Sequence, residues 1–164
     1  MDFIKRKLFV SVIVIAVSYL IDRLNKYFFI NEIGVSENSI IKVTSFLDIV
    51  LVWNKGISYG FFQQESIVGQ LFLTLFSCVI CLFLIIWIFR EKNIIFYAPL
   101  SLIVGGALSN ITDRLLFGAV ADFYHLHLYG YSWYIFNLAD VFIVFGVFLL
   151  ILINFYPKIA NKFK

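Results

Sequence analysis

The stretch from Gly105 to Phe123, GGALSNITDRLLFGAVADF, decides how this chain is read. It closes an apolar run that begins near Ile94, then places three charges, Asp113, Arg114 and Asp122, within ten residues. Gly106, Asn110 and Asp113 stand at i, i+4 and i+7, so a small residue, an amide and a carboxylate share one helical face. Gly105, Gly106, Ala107 and Ser109 allow a second helix to approach closely. A packing seam accounts for those small residues. It does not account for Asp113 and Arg114 in succession, because ionisable groups at the end of a membrane helix are costly and mark function or pairing. Being adjacent on a helix, the two point to different sides and are not simply each other's salt bridge.

Outward from this stretch the chain is apolar almost throughout. Of its 164 residues, 62% are hydrophobic and 14% charged, with a mean hydropathy of +0.96. A soluble domain carries about a quarter charged residues. Four apolar spans are predicted, about 8–29, 67–89, 94–115 and 137–156, each with the ~20 residues that cross a hydrocarbon core of about 30 Å. The predicted fold is an all-α integral membrane protein with four transmembrane helices in a single domain, 1–164. Segment 30–66 is rich in β-branched and aromatic residues, with a turn at Asn54-Lys55-Gly56, and predicts two or three short strands on the membrane surface. Segment 116–136 reads as an outer loop between spans three and four.

Lys5, Arg6 and Lys7 before the first apolar run resemble the start of a signal peptide. No small-x-small cleavage site follows, so a retained anchor is expected. Those three residues, Arg90 and Lys92 between spans two and three, and Lys158, Lys162 and Lys164 in the tail gather on one side; Lys42 and Lys55 lie on the other. The positive-inside rule then places both termini in the cytoplasm and segments 30–66 and 116–136 outside. A net charge of +3, spread along membrane edges, gives no basic face for nucleic acid. Cys78 and Cys81 have CxxC spacing inside an apolar run, without a second ligand pair, and read as small core or lipid-facing residues.

The remaining polar residues cluster. Asp22 and Lys26 are four apart on one helix face and form a structural pair. Asn137 and Asp140 in FNLADVF suit an N-cap and an acidic third helical position, which is a sufficient reading of them taken alone. Yet Asp122 and Asp140 flank a loop of seventeen residues, short enough to keep their helices neighbours. Two carboxylates facing each other at close range share one proton, an arrangement that activates water and protonates a leaving amine without metal or covalent intermediate.

Together these motifs resemble the bacterial lipoprotein signal peptidase family, signal peptidase II. The resemblance runs through Asp22 and Lys26, NKGISYGFF from Asn54, GGALSNITDR, GAVADF and FNLAD, in that order over nearly the whole chain. It implies an aspartic endopeptidase of the bacterial inner membrane that cuts diacylglyceryl-modified prolipoproteins before the lipidated cysteine, near the outer face. Asp122 and Asp140 match the catalytic pair. Asn54 and Gly56 match outer-loop residues that contact substrate. Asn110, Asp113, Arg114, Asn137 and Ala139 match the surrounding polar shell. The expected partners are those substrates and membrane lipids, for a monomeric enzyme with no cofactor, no metal and no nucleic acid. Ser109 and Arg23 depart from the family's usual glycine and glutamine.

Two rivals are weaker. A transporter would spread its carboxylates through the bilayer, whereas here they gather at one end and residues 67–89 carry no charge. A metallopeptidase would draw on His125 and His127 beside Asp122, but no HExxH is present, and surface-loop residues are expected there.

Overall fold

The computed structural model describes residues 3–56 and 66–155. Helix α1 (Phe3–Tyr27) runs on through a π-helical turn at Phe28–Glu32. After it come β1 (Ile41–Lys42), β2 (Leu47–Asn54), α2 (Ile67–Arg90), α3 (Ile94–Phe117), β3 (Val120–Leu128), β4 (Tyr131–Phe136) and α4 (Leu138–Phe155). Four helical stretches, Ile4–Glu32, Ile67–Arg90, Ile94–Phe117 and Leu138–Phe155, are long and apolar enough to cross a membrane. The motif residues from Ile57 to Phe62, and Tyr156, Lys158, Lys162 and Lys164 of the tail, lie outside the described residues.

Local chemistry sets the helix ends. Ser66 Oγ accepts from the Gly69 N–H at 3.1 Å and starts α2; Asn93 Oδ1 accepts from the Ile95 N–H at 3.1 Å and starts α3. Gly118, at φ +70°, ends α3 by donating its N–H to the Arg114 carbonyl at 3.0 Å. Each of the other three helices packs against α3. In its most apolar window 61% of residues are buried, against 17, 22 and 17% in α1, α2 and α4. The polar residues of α3 are therefore inside the protein, while the other helices turn most of their apolar surface toward lipid.

The expected outer loop is instead a β-hairpin. Residues 116–136 hold the end of α3 and then β3 and β4, which extend an antiparallel sheet of order β1-β2-β3-β4. β2 supplies the reason: it pairs with β3 across a long stretch of sequence, with Asp48 opposite His125 and Val52 opposite Asp122. A register shift between Ile49 and Val52 bends this ladder. Ile49, Leu51, Ala121 and Phe123 of the sheet bury against Phe29 of the π-helical turn, with the Phe29 and Phe123 rings stacked at 5.2 Å. That small core holds β3, and so Asp122, over the end of α1.

Candidate active site

Asp122 lies early in β3 and is nearly wholly buried. Its two oxygens accept from two amides: Asn54 Nδ2 to Oδ2 at 3.0 Å and Asn137 Nδ2 to Oδ1 at 2.6 Å. Asn54 is itself set by the turn at the end of β2, where its Oδ1 accepts from the Gly56 N–H at 2.9 Å. Burial, and then the neighbouring Asp140 carboxylate, push the Asp122 carboxyl from 3.8 up to about 7, against the opposing pull of the two amides and Lys26.

Asp140 sits in the first turn of α4. Its backbone N–H donates to Asn137 Oδ1 at 2.9 Å, and its Oδ2 accepts from the Asn137 N–H at 3.3 Å, a reciprocal cap. Asp140 Oδ1 accepts from Asn110 Nδ2 at 3.0 Å. Asn137 thus closes the helix with one end of its side chain and holds Asp122 with the other. Capping and site-building are the same residue's work.

Behind this pair lies a buried ionic cluster. Lys26 Nζ is 2.8 Å from Asp22 Oδ2, 2.7 Å from Asp113 Oδ2 and 3.1 Å from Asn110 Oδ1. Arg23 closes the cluster with an ion pair to Asp113 Oδ1. Asp22 also accepts from Ser109 Oγ at 2.7 Å and from the Ala139 N–H at 2.9 Å; Asp113 accepts from the Ala121 N–H at 3.2 Å. Sequence spacing paired Asp22 with Lys26 but gave Arg23 no partner. The signal was a count, since Asp22 and Asp113 buried together require two cations.

Arg114 points away from that cluster, donating from Nη2 to the Gly56 carbonyl at 2.9 Å; its Nε has no partner among the described residues. Asn54, Asn110, Arg114, Asp122 and Asp140 all line one cavity of about 500 Å³. Its other walls are apolar: Phe76, Ile80 and Leu84 from α2 on one side, Ile143 and Val144 from α4 on the other. Asn137, Ala139 and Asp113 stand behind this wall, fully buried, and act through backbone and side-chain bonds. A polar end with two amide-held carboxylates opens onto an apolar trough between two membrane helices.

Against known proteins, residues 14–156 match the family described as Signal peptidase (SPase) II. The chain belongs to the signal peptidase II family. A lipoprotein signal peptidase of Nitrobacter hamburgensis is 43% identical over 157 residues, 93% of this chain and 96% of the relative. Another, from Beijerinckia indica subsp. indica, is 41% identical over 87% of this chain and 85% of its own length. A solved bacterial membrane enzyme superposes with a TM-score of 0.78 at 27% identity, covering 93% of this chain and 90% of that one.

Within this signal peptidase II chain two local expectations change. His125 and His127 are strand residues rather than loop residues, because β3 continues through them. His127 Nε2 lies 3.0 Å from Asp48 Oδ2, and His125 Nε2 2.7 Å from Ser132 Oγ. Two contacts escaped the sequence reading altogether: Asn25 Nδ2 donates to the Tyr124 hydroxyl at 2.8 Å, and Gln70 Nε2 to the Lys55 carbonyl at 2.5 Å. They tie α1 and α2 to the sheet and to the turn that carries Asn54. Neither pair has a local spacing signal.

Proposed function

We propose that this chain is a membrane aspartic endopeptidase that removes the signal peptide from diacylglyceryl-modified prolipoproteins, cleaving before the lipidated cysteine. The observation that carries the reading is the placement of Asp122 and Asp140 at the polar end of one apolar-walled cavity, bridged by Asn137. Relatives named lipoprotein signal peptidase support the same substrate class.

In this reading the two carboxyls share one proton. The charged one takes a proton from a water as the oxygen attacks the scissile carbonyl; the neutral one gives its proton to the carbonyl oxygen. When the tetrahedral carbon collapses, the C–N bond breaks, the leaving amine receives the proton that came from the water, and the proton on the former carbonyl oxygen returns to the carboxyl that gave it. Asn54 and Asn110 hold one carboxylate each in orientation. Arg114 offers its Nε–H to a carbonyl of an extended substrate chain. Signal peptide and acyl chains enter sideways, between the α2 and α4 walls.

The protein is read as a single domain of the bacterial cytoplasmic membrane. Both termini are cytoplasmic, the site lies near the outer face, and the enzyme works as a monomer without cofactor or metal. The deciding experiment uses the full chain in detergent with a diacylglyceryl-modified prolipoprotein and its unmodified counterpart. Cleavage of the modified form alone, lost in folded Asp122→Asn and Asp140→Asn variants and unaffected by a strong chelator, is the expected result. Near-normal turnover by either variant would return that aspartate to a capping or pairing role.

A further inference from the structure

At the end of the bundle remote from Asp122 and Asp140, α2 presents a second cavity with different chemistry. Phe83, Ile86, Trp87 and Arg90 stand at i, i+3, i+4 and i+7, one stripe of a helix. They face outward, while Ile88 buries in the core against α3. These four side chains line a groove of about 280 Å³. The Phe83 and Trp87 rings meet edge-on at 6.1 Å. The groove is apolar along its length and ends in a guanidinium.

Further cations gather around that end. Lys7 is 5% exposed and donates from Nζ to the Phe89 carbonyl at 2.8 Å and the Glu91 carbonyl at 3.0 Å. That clamp seats the start of α1 beside the end of α2, so exposed Lys5 and Arg6 join exposed Arg90 and Lys92. Glu91 is the one carboxylate among the described residues here, and its Oε1 is folded back onto the N–H groups of Lys92 and Asn93 at 2.8 and 3.0 Å.

We propose that this groove binds one anionic phospholipid, with the phosphate on Arg90 and an acyl chain along Trp87, Ile86 and Phe83. The shape and charge both select for it. Seven residues of helix span about 10 Å, enough to guide the upper part of a chain lying along the membrane normal. A guanidinium fork matches two phosphate oxygens, and an indole suits the depth of the headgroup boundary. The surrounding cations favour a lipid with net negative charge over a zwitterionic one. A water-soluble anion would satisfy Arg90 but would leave the apolar trough uncovered. The site is independent of the reaction proposed at the other end.

Native mass spectrometry of the full chain in a non-ionic detergent tests this, with phosphatidylglycerol and phosphatidylcholine of identical chains as probes. One phosphatidylglycerol is expected to be retained in preference, and Arg90→Gln to weaken its retention about tenfold, the loss of one charge-assisted contact. Lys42→Gln, on β1, should leave retention unchanged. Quenching of tryptophan fluorescence by phosphatidylglycerol with brominated chains should shrink in Trp87→Phe. Equal retention of the two lipids, a preference that survives Arg90→Gln, or displacement of the lipid by inorganic phosphate would each overturn the proposal.

Discussion

Asn137→Ser separates the two jobs of one side chain. Asn137 is wholly buried, accepting the Asp140 N–H at 2.9 Å while donating to Asp122 at 2.6 Å. Serine is as good an N-cap as asparagine, so the start of α4 keeps its acceptor. The shorter side chain cannot also reach Asp122. What is lost is a hydrogen bond to a carboxylate, worth about 1.5–3 kcal/mol, and it favours the charged form. Asp122 already sits at about 7; without the amide it moves higher, by about one pH unit or more. A pH–rate profile of prolipoprotein cleavage reads this directly. Its alkaline limb, where the pair loses its shared proton, is expected to shift upward by that amount, so the active form persists to higher pH than in the wild type. Asn137→Ala supplies the contrast, because it removes the cap as well and should melt lower than the serine variant by about 1 kcal/mol of stability. An alkaline limb that stays in place or moves to lower pH would refute the assignment of that hydrogen bond to the charged Asp122.

Three further outcomes follow from the same geometry. A Cβ at Gly106 would lie 2.5 Å from the Ala139 carbonyl oxygen, so Gly106→Ala must push α3 from α4 and part Asn110 from Asp140. Activity should collapse there, whereas Gly118→Ala, open in space but at φ +70°, should keep activity and lose only about 1–2 kcal/mol of stability; equal activity losses would contradict this. Lys26→Met leaves Asp22 and Asp113 buried with Arg23 as their remaining cation and should destabilise by about 3–5 kcal/mol, and an unchanged melting temperature in detergent would count against it. Because the folded pKa of Asp122 is raised from 3.8 to about 7, the folded chain binds more protons in that window and loses stability as pH rises through it. Asp122→Asn should remove that part of the slope, and parallel melting curves for variant and wild type would exclude it.

The four spans were legible because lipid-facing helices need uninterrupted apolar residues and nothing subtler. Asp122 and Asp140 stood out as charges at the edges of such runs. The hairpin was not legible, for a physical reason. Its partner strand lies far back in the chain, Val52 opposite Asp122, and that pairing is what turns residues 120–136 from loop into sheet. Arg23 was invisible in another way. Helical periodicity turns it about 100° from Asp22, and only the approach of α3 to α1 brings Asp113 within its reach. Asn137 was legible as a cap and as a motif residue, but spacing alone could not show one side chain serving both ends.

The buried ionic cluster is better understood through position than through stability. Replacing buried ion pairs by well-packed apolar groups is often neutral or stabilising, so Asp22, Arg23, Lys26 and Asp113 are not explained as glue. Their other contacts explain them. Asp22 accepts from the N–H of Ala139, the residue before Asp140, and Asp113 accepts from the N–H of Ala121, the residue before Asp122. Lys26 holds both of these carboxylates and also Asn110, which in turn holds Asp140. Each aspartate of the proposed pair is therefore fixed through the backbone immediately preceding it. One lysine sets the two anchors at a common distance, across two helices and a strand that are joined only by a turn and a hairpin. Facing carboxylates repel when both are charged, and a scaffold held by packing alone would relax to separate them. A cluster of directional charged bonds resists that relaxation. This is the reason for the charges that interrupt the apolar run at Asp113 and Arg114: one fixes the strand that carries Asp122, and the other holds the turn that carries Asn54.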